Sequence, residues 1–195
     1  TFTDRKDTRN LMTTKGFARK DGTFREVSWC CYINSPEDPR IHFLSEGGWH
    51  RYISPRHGDA ANIAPAHVPD DQLEIWPKRY IRPNGQPHPF HWDRYERRFD
   101  QPFYYGRLGN MVLILIFDMP SWLRFFCSPV GGGQSLLPGS KCPAWDFQWI
   151  IPESEYHVDM EYTLRMRMVY KRFVSDENIL EEVLKSQEEL HFETV

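Results

Sequence analysis

The sequence lacks the features that would place it at once in a large functional class. Its apolar runs fall short of the roughly 18 to 20 residues that a membrane-spanning helix requires. Neither sign of charge dominates, since 24 lysine and arginine residues stand against 27 aspartate and glutamate residues, a formal net charge of −3. Because the chain offers no basic field to a phosphate backbone, we expect neither a nucleic-acid partner nor a membrane partner.

Cysteine is also scarce, with four residues among 195. None of the spacings matches a CxxC zinc knuckle, and the adjacent Cys30 and Cys31 would point to opposite faces of a strand. We interpret the cysteines as small buried hydrophobic residues, which favours a reducing, cytoplasmic compartment. The chain begins at Thr1 with no charged-then-apolar leader, so we expect any targeting segment to be absent or already removed.

Apolar residues are plentiful, at 40% of the chain with 15% aromatic, and they recur with the period of a β-strand. Strands separated by turns, without alternating helices, predict one all-β domain over 1–195, mainly antiparallel, with the architecture of a β-sandwich or supersandwich. The predicted strands cover 23–33, 40–45, 49–54, 103–106, 110–118, 122–127, 145–151 and 161–173.

The end of the chain has the period of a helix. Ser175 is a suitable N-cap residue, and Leu180, Val183, Leu184, Gln187 and Leu190 follow at helical spacing. We therefore predict a C-terminal α-helix over 175–191. If its apolar stripe does not pack inward, it predicts a homodimer through this helix.

Glycines between 40–45 and 49–54 predict a hairpin. A three-residue turn at 46–48 sorts its side chains best by polarity, so we expect that register. It places Ile41, Phe43, Trp49 and Ile53 on one face, and His42, Leu44, His50 and Tyr52 on the other.

Residues 54–102 hold eight of the fifteen prolines and four of the eight histidines, with no sustained period. A segment of this length is typical of a lid or binding loop, unless it conceals short elements. Its aromatic residues predict that it packs on the domain.

Three groups of residues are candidates for chemistry. In the first group, histidines with nearby carboxylates (Asp59, Asp93) could bind Zn, Mn or Fe. The sequence lacks the HExxH motif and the paired histidines of cupins. In this alternative, the metal ligands would be His42, His50, His57, His88 and His91. Gly132, in a run of three glycines, lets a backbone approach a ligand. Asp146 and Gln148 should share one face of the strand that follows.

The third group combines phenols and cations in 104–107 with the many aromatic rings, a mixture typical of carbohydrate sites. Together, the all-β pattern, the GGG loop, the WDFQW strand and the histidine-rich face resemble the galactose-mutarotase-like supersandwich of aldose epimerases and polysaccharide lyase domains, over 23–174. FYYGR and PAWDFQW also resemble runs in bacterial proteins. The resemblance implies a histidine general acid (His42 or His57) and a carboxylate general base (Asp146 or Asp59).

We therefore predict a carbohydrate-acting protein with epimerase- or lyase-like proton transfer on one concave face, without a cofactor. The alternatives are a histidine-rich metalloenzyme and a non-catalytic carbohydrate-binding module. The predicted catalytic residues are His42, His57, Asp146 and Arg107, and the predicted substrate-binding residues are His50, Tyr52, Tyr105, Gln148, Gly132 and Trp145.

Overall fold

The computed structural model describes residues 2–3, 26–34, 38, 40–53, 59–69, 91–94, 96–118, 120–128, 144–152, 155, 157 and 160–192. Within them the chain forms twelve strands and one helix: β1 (Phe2–Thr3), β2 (Glu26–Asn34), β3 (Ile41–Ser45), β4 (Gly48–Tyr52), β5 (Asp59–Ile63), β6 (His91–Arg94), β7 (Phe103–Leu108), β8 (Met111–Phe117), β9 (Leu123–Ser128), β10 (Ala144–Pro152), β11 (Glu161–Tyr162), β12 (Met166–Arg172) and α1 (Asp176–Phe192).

The strands form two five-stranded sheets and one short ribbon. Sheet I has the order β2-β10-β9-β5-β6, and sheet II has the order β12-β8-β7-β3-β4. The ribbon pairs β1 with β11. All of these strand pairs are antiparallel except β5 with β6, which is parallel. The predicted all-β, mainly antiparallel fold with one C-terminal helix is confirmed.

The first core layer lies between the two sheets. Trp145 and Phe147 of β10 meet Phe43 of β3 and Phe117 of β8 there, all of them almost fully buried. The Phe117 and Phe147 rings lie 4.7 Å apart between centroids. Because successive side chains of a strand point to opposite faces, burying one face of each sheet accounts for the period of two in 145–151.

The second core layer lies on the other side of sheet II, under α1. Ile179 and Val183 of the helix pack on Val112, Ile114 and Ile116 of β8, and each of these five side chains is fully buried. The continuous apolar run of β8 therefore has a core on both faces. The apolar stripe of α1 packs inward, so the condition on which the helix-mediated homodimer was predicted is not met.

The helix begins as the sequence predicts. Ser175 precedes α1, and its hydroxyl oxygen accepts a hydrogen bond from the backbone N–H of Asn178, at 3.2 Å. This bond satisfies one of the N–H groups that the first turn of a helix leaves unpaired.

Replacing Ser175 by alanine is expected to lower the free energy of unfolding by about 1 kcal/mol, because it removes the N-cap acceptor. Urea denaturation measures the change. Ser175→Asn keeps a side-chain acceptor and is expected to stay within a few tenths of a kcal/mol of the parent. Equal losses in both variants would contradict a capping role.

The hairpin differs from its prediction. Its turn has two residues, Glu46 and Gly47, with φ angles of 54° and 72°, and β3 pairs with β4 so that Phe43 lies opposite His50. Two positive φ angles are those of a type I′ turn, whose twist matches that of the flanking strands. Asp100 accepts a hydrogen bond from the Gly47 N–H at 2.8 Å, and Arg97 pairs with Glu46 at 2.9 Å. The predicted three-residue turn and its sorting of side chains are wrong.

The segment 54–102 conceals short elements. It contributes β5 and β6 to the edge of sheet I. Phe99 is buried between the sheets, where its ring stacks on that of Phe125 with centroids 4.1 Å apart. Part of the segment is thus sheet and core, as the aromatic content of the segment predicted.

Candidate functional site

The outer face of sheet II, the face turned away from sheet I, is covered only in part by α1. The helix packs on β8 and β12. On the β3 and β4 side of the same face, His42 and Trp49 are half-buried and Arg51 is exposed. The pairing of the strands sets His42 opposite both Arg51 of β4 and Tyr105 of β7. Polar side chains from three adjacent strands therefore meet beside the first turn of the helix.

Tyr105 is the structural centre of this group. Its ring stacks on the His42 imidazole, with centroids 4.5 Å apart and planes 19° apart, and Trp49 contacts it edge-on at 5.7 Å. Its hydroxyl donates a hydrogen bond of 2.6 Å to the carboxylate of Asp176, the first residue of α1. With only 2% of Tyr105 exposed, the phenol fixes the position of the imidazole and is itself out of reach of a ligand.

The protonation states of the site follow from burial and from two arginines. Burial, and then the positive charge of Arg51, lowers the pKa of His42 to about 4. Asp38 and then Asp176 act in the opposite direction, and Arg107 lowers the pKa by the smallest amount. Burial, and then the hydrogen bond to Asp176, raises the pKa of Tyr105. At neutral pH the imidazole is uncharged and the phenol keeps its proton.

The His42 Nε2 atom is buried and has no hydrogen-bond partner among the described residues. Buried polar atoms are paired in the great majority of cases, so an unpaired one requires an explanation. A neutral ring nitrogen can accept or donate a hydrogen bond according to tautomer. The imidazole is thus held by stacking, with a nitrogen that is not committed to the protein.

The two arginines are held in different ways. Arg51 forms a salt bridge with Asp38 at 3.2 Å, and the same carboxylate forms a second salt bridge with Arg40 at 3.1 Å. The Arg107 guanidinium carbon lies over the Phe173 ring, 3.7 Å from its centroid. It donates to the carbonyl of Gly109 at 3.3 Å, and no carboxylate pairs with it in the part of the chain that the structure describes. We call His42, Arg51, Tyr105, Arg107 and Asp176 the His42 site.

Asp146 and Gln148 share a face of β10, as predicted, and the Gln148 amide donates to the Asp146 carboxylate at 3.2 Å. That face is the outer face of sheet I, because Trp145 and Phe147 take the alternate, inward positions. The two sheets therefore separate Asp146 from the His42 site. The predicted acid–base pair of His42 with Asp146 is not brought together, since β3 and β10 belong to different sheets.

Three other predicted substrate-binding residues, Trp145, Tyr52 and His50, lie away from His42. Trp145 is fully buried between the sheets. The two-residue turn moves Tyr52 and His50 to the side of the hairpin opposite His42, where Tyr52 packs on the inter-sheet core. His50 Nε2 donates to the carbonyl of Ser45 at 3.1 Å. The prediction for Trp145 is therefore wrong, since a fully buried packing residue cannot contact a substrate. Tyr52 and His50 are half-buried and lie away from His42, and their contact with a substrate stays a prediction.

The remaining predicted residues are placed only in part. His57, His88 and Gly132 lie outside the described residues, and His91 is known only by its register in β6, opposite Asp59. No cluster of three or more potential metal ligands occurs among the residues with a described structure. His42 and His50, which the three-residue turn placed on one face, lie on opposite sides of the hairpin.

Sequence reasoning missed Arg51 and Asp176 of the His42 site, and also Asp38, which pairs with Arg51. The three-residue register had set Arg51 apart from His42. Asp176 has the signature of a first-turn acid on a helix, and nothing local signals that it binds a tyrosine 71 positions away.

Comparisons with family models, curated proteins and solved structures find no match for this chain. Separately, no helix in the described ranges has the length and apolar character needed to cross a bilayer. The geometry of the His42 site is therefore the basis on which a function can be inferred.

Proposed function

We propose that the protein acts on a carbohydrate, with epimerase- or lyase-like proton transfer at the His42 site. The observation that supports this most directly is the half-buried His42 imidazole, whose Nε2 atom has no hydrogen-bond partner in the described part of the chain. Because that atom is buried, a ligand reaches it only when neighbouring side chains move. A neutral imidazole beside guanidinium groups can take a proton from a sugar while the cations stabilise the negative charge that develops. Trp49, half-buried beside it, offers a flat ring to the apolar face of a sugar.

In this proposal each side chain has one task. His42 accepts the proton, in place of the general-acid role that the resemblance implied, and in a lyase reaction the imidazolium returns it to the leaving oxygen as the C–O bond of the sugar breaks. Arg107 binds the ligand and offsets its charge. Tyr105 is a positioning residue, since it is buried and holds the imidazole by stacking. The low pKa of His42 makes it a weak base in the free protein. A negatively charged ligand group, such as the carboxylate of a uronate, would raise that pKa and strengthen the base in the complex.

Replacing His42 by glutamine is expected to lower turnover of the sugar about 100-fold or more, because it removes the base. The assay is a screen of neutral and uronate-containing oligosaccharides for epimerisation or unsaturated product, with binding followed by calorimetry. Asp146→Asn is the matched control. It changes the other predicted catalytic residue, on the opposite side of the sandwich, and is expected to leave turnover within a factor of about two.

Loss of turnover in Asp146→Asn with retention in His42→Gln would contradict the proposal and return the chemistry to sheet I. Failure of the parent protein to bind any sugar in the screen would also contradict it. The comparison requires that both variants have the same unfolding temperature as the parent protein, which circular dichroism measures.

A non-catalytic carbohydrate-binding module is the second candidate. It is favoured by the engagement of both carboxylates near His42, since Asp176 accepts from Tyr105 and Asp38 takes two arginines. A binding module has no use for a second acid–base group. Sugar binding that persists in His42→Gln, without turnover in the parent protein, would select this candidate.

A further inference from the structure

β12 forms one edge of sheet II. Its seven residues pair with β8 from Met166 opposite Phe117 to Arg172 opposite Met111. No other described strand lies on its second side. An edge of this length presents a row of N–H and C=O groups with which another strand can pair.

Two large apolar side chains of this edge strand are unusually exposed. Met168 is 54% exposed and Tyr170 is 60% exposed. They share a side of β12 with Met166, which packs on the inter-sheet core. On this side of β12, the inter-sheet core therefore covers Met166 and leaves Met168 and Tyr170 exposed.

The hydrogen bonds with the end of β8 establish which backbone groups face the open edge. The Phe173 N–H donates to the carbonyl of Asn110 at 2.9 Å, and the Arg165 carbonyl accepts from the Asp118 N–H at 3.2 Å. Backbone groups alternate between the two edges of a strand. The odd-numbered residues of β12 thus face β8, and the even-numbered ones, Met168 and Tyr170 among them, face outward.

We propose that β12 pairs antiparallel with β12 of a second copy of this chain, about a two-fold axis at Val169. This register pairs Met168 with Tyr170 of the second copy, and Tyr170 with Met168, so that both exposed side chains find apolar partners. It also makes every pair of outward-facing residues a hydrogen-bonded pair. Two five-stranded sheets then become one ten-stranded sheet.

The charges of β12 allow this pairing. Arg167 would lie opposite Lys171 of the second copy, a repulsive arrangement if both charges were free. Each already pairs with a glutamate of α1 in its own chain: Arg167 with Glu189, and Lys171 with Glu182 at 3.0 Å. The cations therefore face one another as neutralised pairs.

The helices also leave room for the pairing. In each copy α1 contacts both β8 and β12. The two copies of β8 would be three strand spacings apart, about 14 Å. Because α1 contacts β12 as well as β8, the two helix axes would lie closer together than this, at about two strand spacings or roughly 10 Å. Packed helices approach to about 8–10 Å, so the two helices can lie side by side without overlap.

The test is the association state of the full chain by sedimentation velocity, between about 1 µM and about 1 mM. We expect a concentration-dependent dimer. Tyr170→Lys places a charge on the seam and should raise the dissociation constant at least about tenfold. Tyr170→Pro should have the same effect, because it removes an outward N–H and spares the ladder to β8. Leu184→Lys, at an exposed apolar position of α1, is the matched control and should leave the dimer intact.

A parent protein that stays monomeric throughout the range overturns the proposal. So does a dimer that Leu184→Lys disrupts and Tyr170→Lys does not, which would return the interface to the helix. A cysteine at Val169 gives an independent readout. Paired residues at the two-fold axis lie about 4.5 Å apart between Cα atoms, within disulfide range. Oxidation should cross-link Val169→Cys and leave the parent protein and Leu184→Cys uncross-linked; equal cross-linking of all three would also overturn the register.

Discussion

Replacing Gly106 by alanine is expected to destabilise the protein by about 3 kcal/mol or more, and valine is expected to prevent folding. Gly106 lies in β7, and a methyl group built on it overlaps the six-membered ring of Trp145 from the opposite sheet. Trp145 is fully buried, so the ring cannot move aside without separating the sheets. Thermal and urea unfolding measure the loss.

A double-mutant cycle tests the cause. Trp145→Leu removes the ring that the methyl group would meet, at the cost of a cavity of its own. If the overlap is the cause, Gly106→Ala in the Trp145→Leu background should lose less than half of what it loses in the parent. Gly48→Ala is the matched control in the same sheet, since a methyl group there meets ordinary contacts no closer than 3.8 Å. Losses that simply add in the double variant would refute the explanation.

Stability is expected to fall by about 2 kcal/mol between pH 6.5 and pH 4 through His42 alone. The pKa of this imidazole is about 4 in the folded protein and 6.5 in its ordinary state. Between these values the unfolded chain binds a proton that the folded chain refuses, so unfolding becomes easier as the pH falls. Each pKa unit corresponds to roughly 1.4 kcal/mol, and partial exposure of the ring reduces the full value.

Urea denaturation of the parent protein and of His42→Gln across this pH range isolates the contribution. Other groups titrate in both proteins, so the difference between the two curves belongs to His42. His67→Gln is the control, because His67 is exposed and hydrogen-bonds only to the Ser121 hydroxyl in the described structure. A His42→Gln curve parallel to that of the parent would show that the imidazole is not desolvated in the folded state.

The periodicity of the sequence predicted most of the secondary structure, because strands and helices depend mainly on residues close in the chain. The period of two and the short apolar runs located the strands of both sheets except β5 and β6, and the helical spacing located α1 and its cap at Ser175. The predicted strand over 161–173 is interrupted between β11 and β12, where the Arg165 N–H donates to the carboxylate of Asp118 at 2.8 Å. That interruption depends on a residue 47 positions away, which no periodicity reveals.

The site was predicted less well because it depends on which strands become neighbours. Tyr105 and Arg107 lie near His42 in the structure, whereas Asp146 does not, since its strand lies in the other sheet. The hairpin shows the same limit on a smaller scale. Sorting by polarity favoured a three-residue turn, whereas the contacts of Glu46 and Gly47 with Arg97 and Asp100 support a two-residue turn that sequence order does not disclose.

The hydrogen bond between Tyr105 and Asp176 also affects the order in which the His42 site forms during synthesis of the chain. A ribosome delivers β3, β4 and β7 well before it delivers α1, and domains begin to fold from the segments already made. Until the helix emerges, the outer apolar side chains of β8 have no cover and the Tyr105 hydroxyl has no acceptor from Asp176. The site is therefore completed by the last element to leave the ribosome among those described.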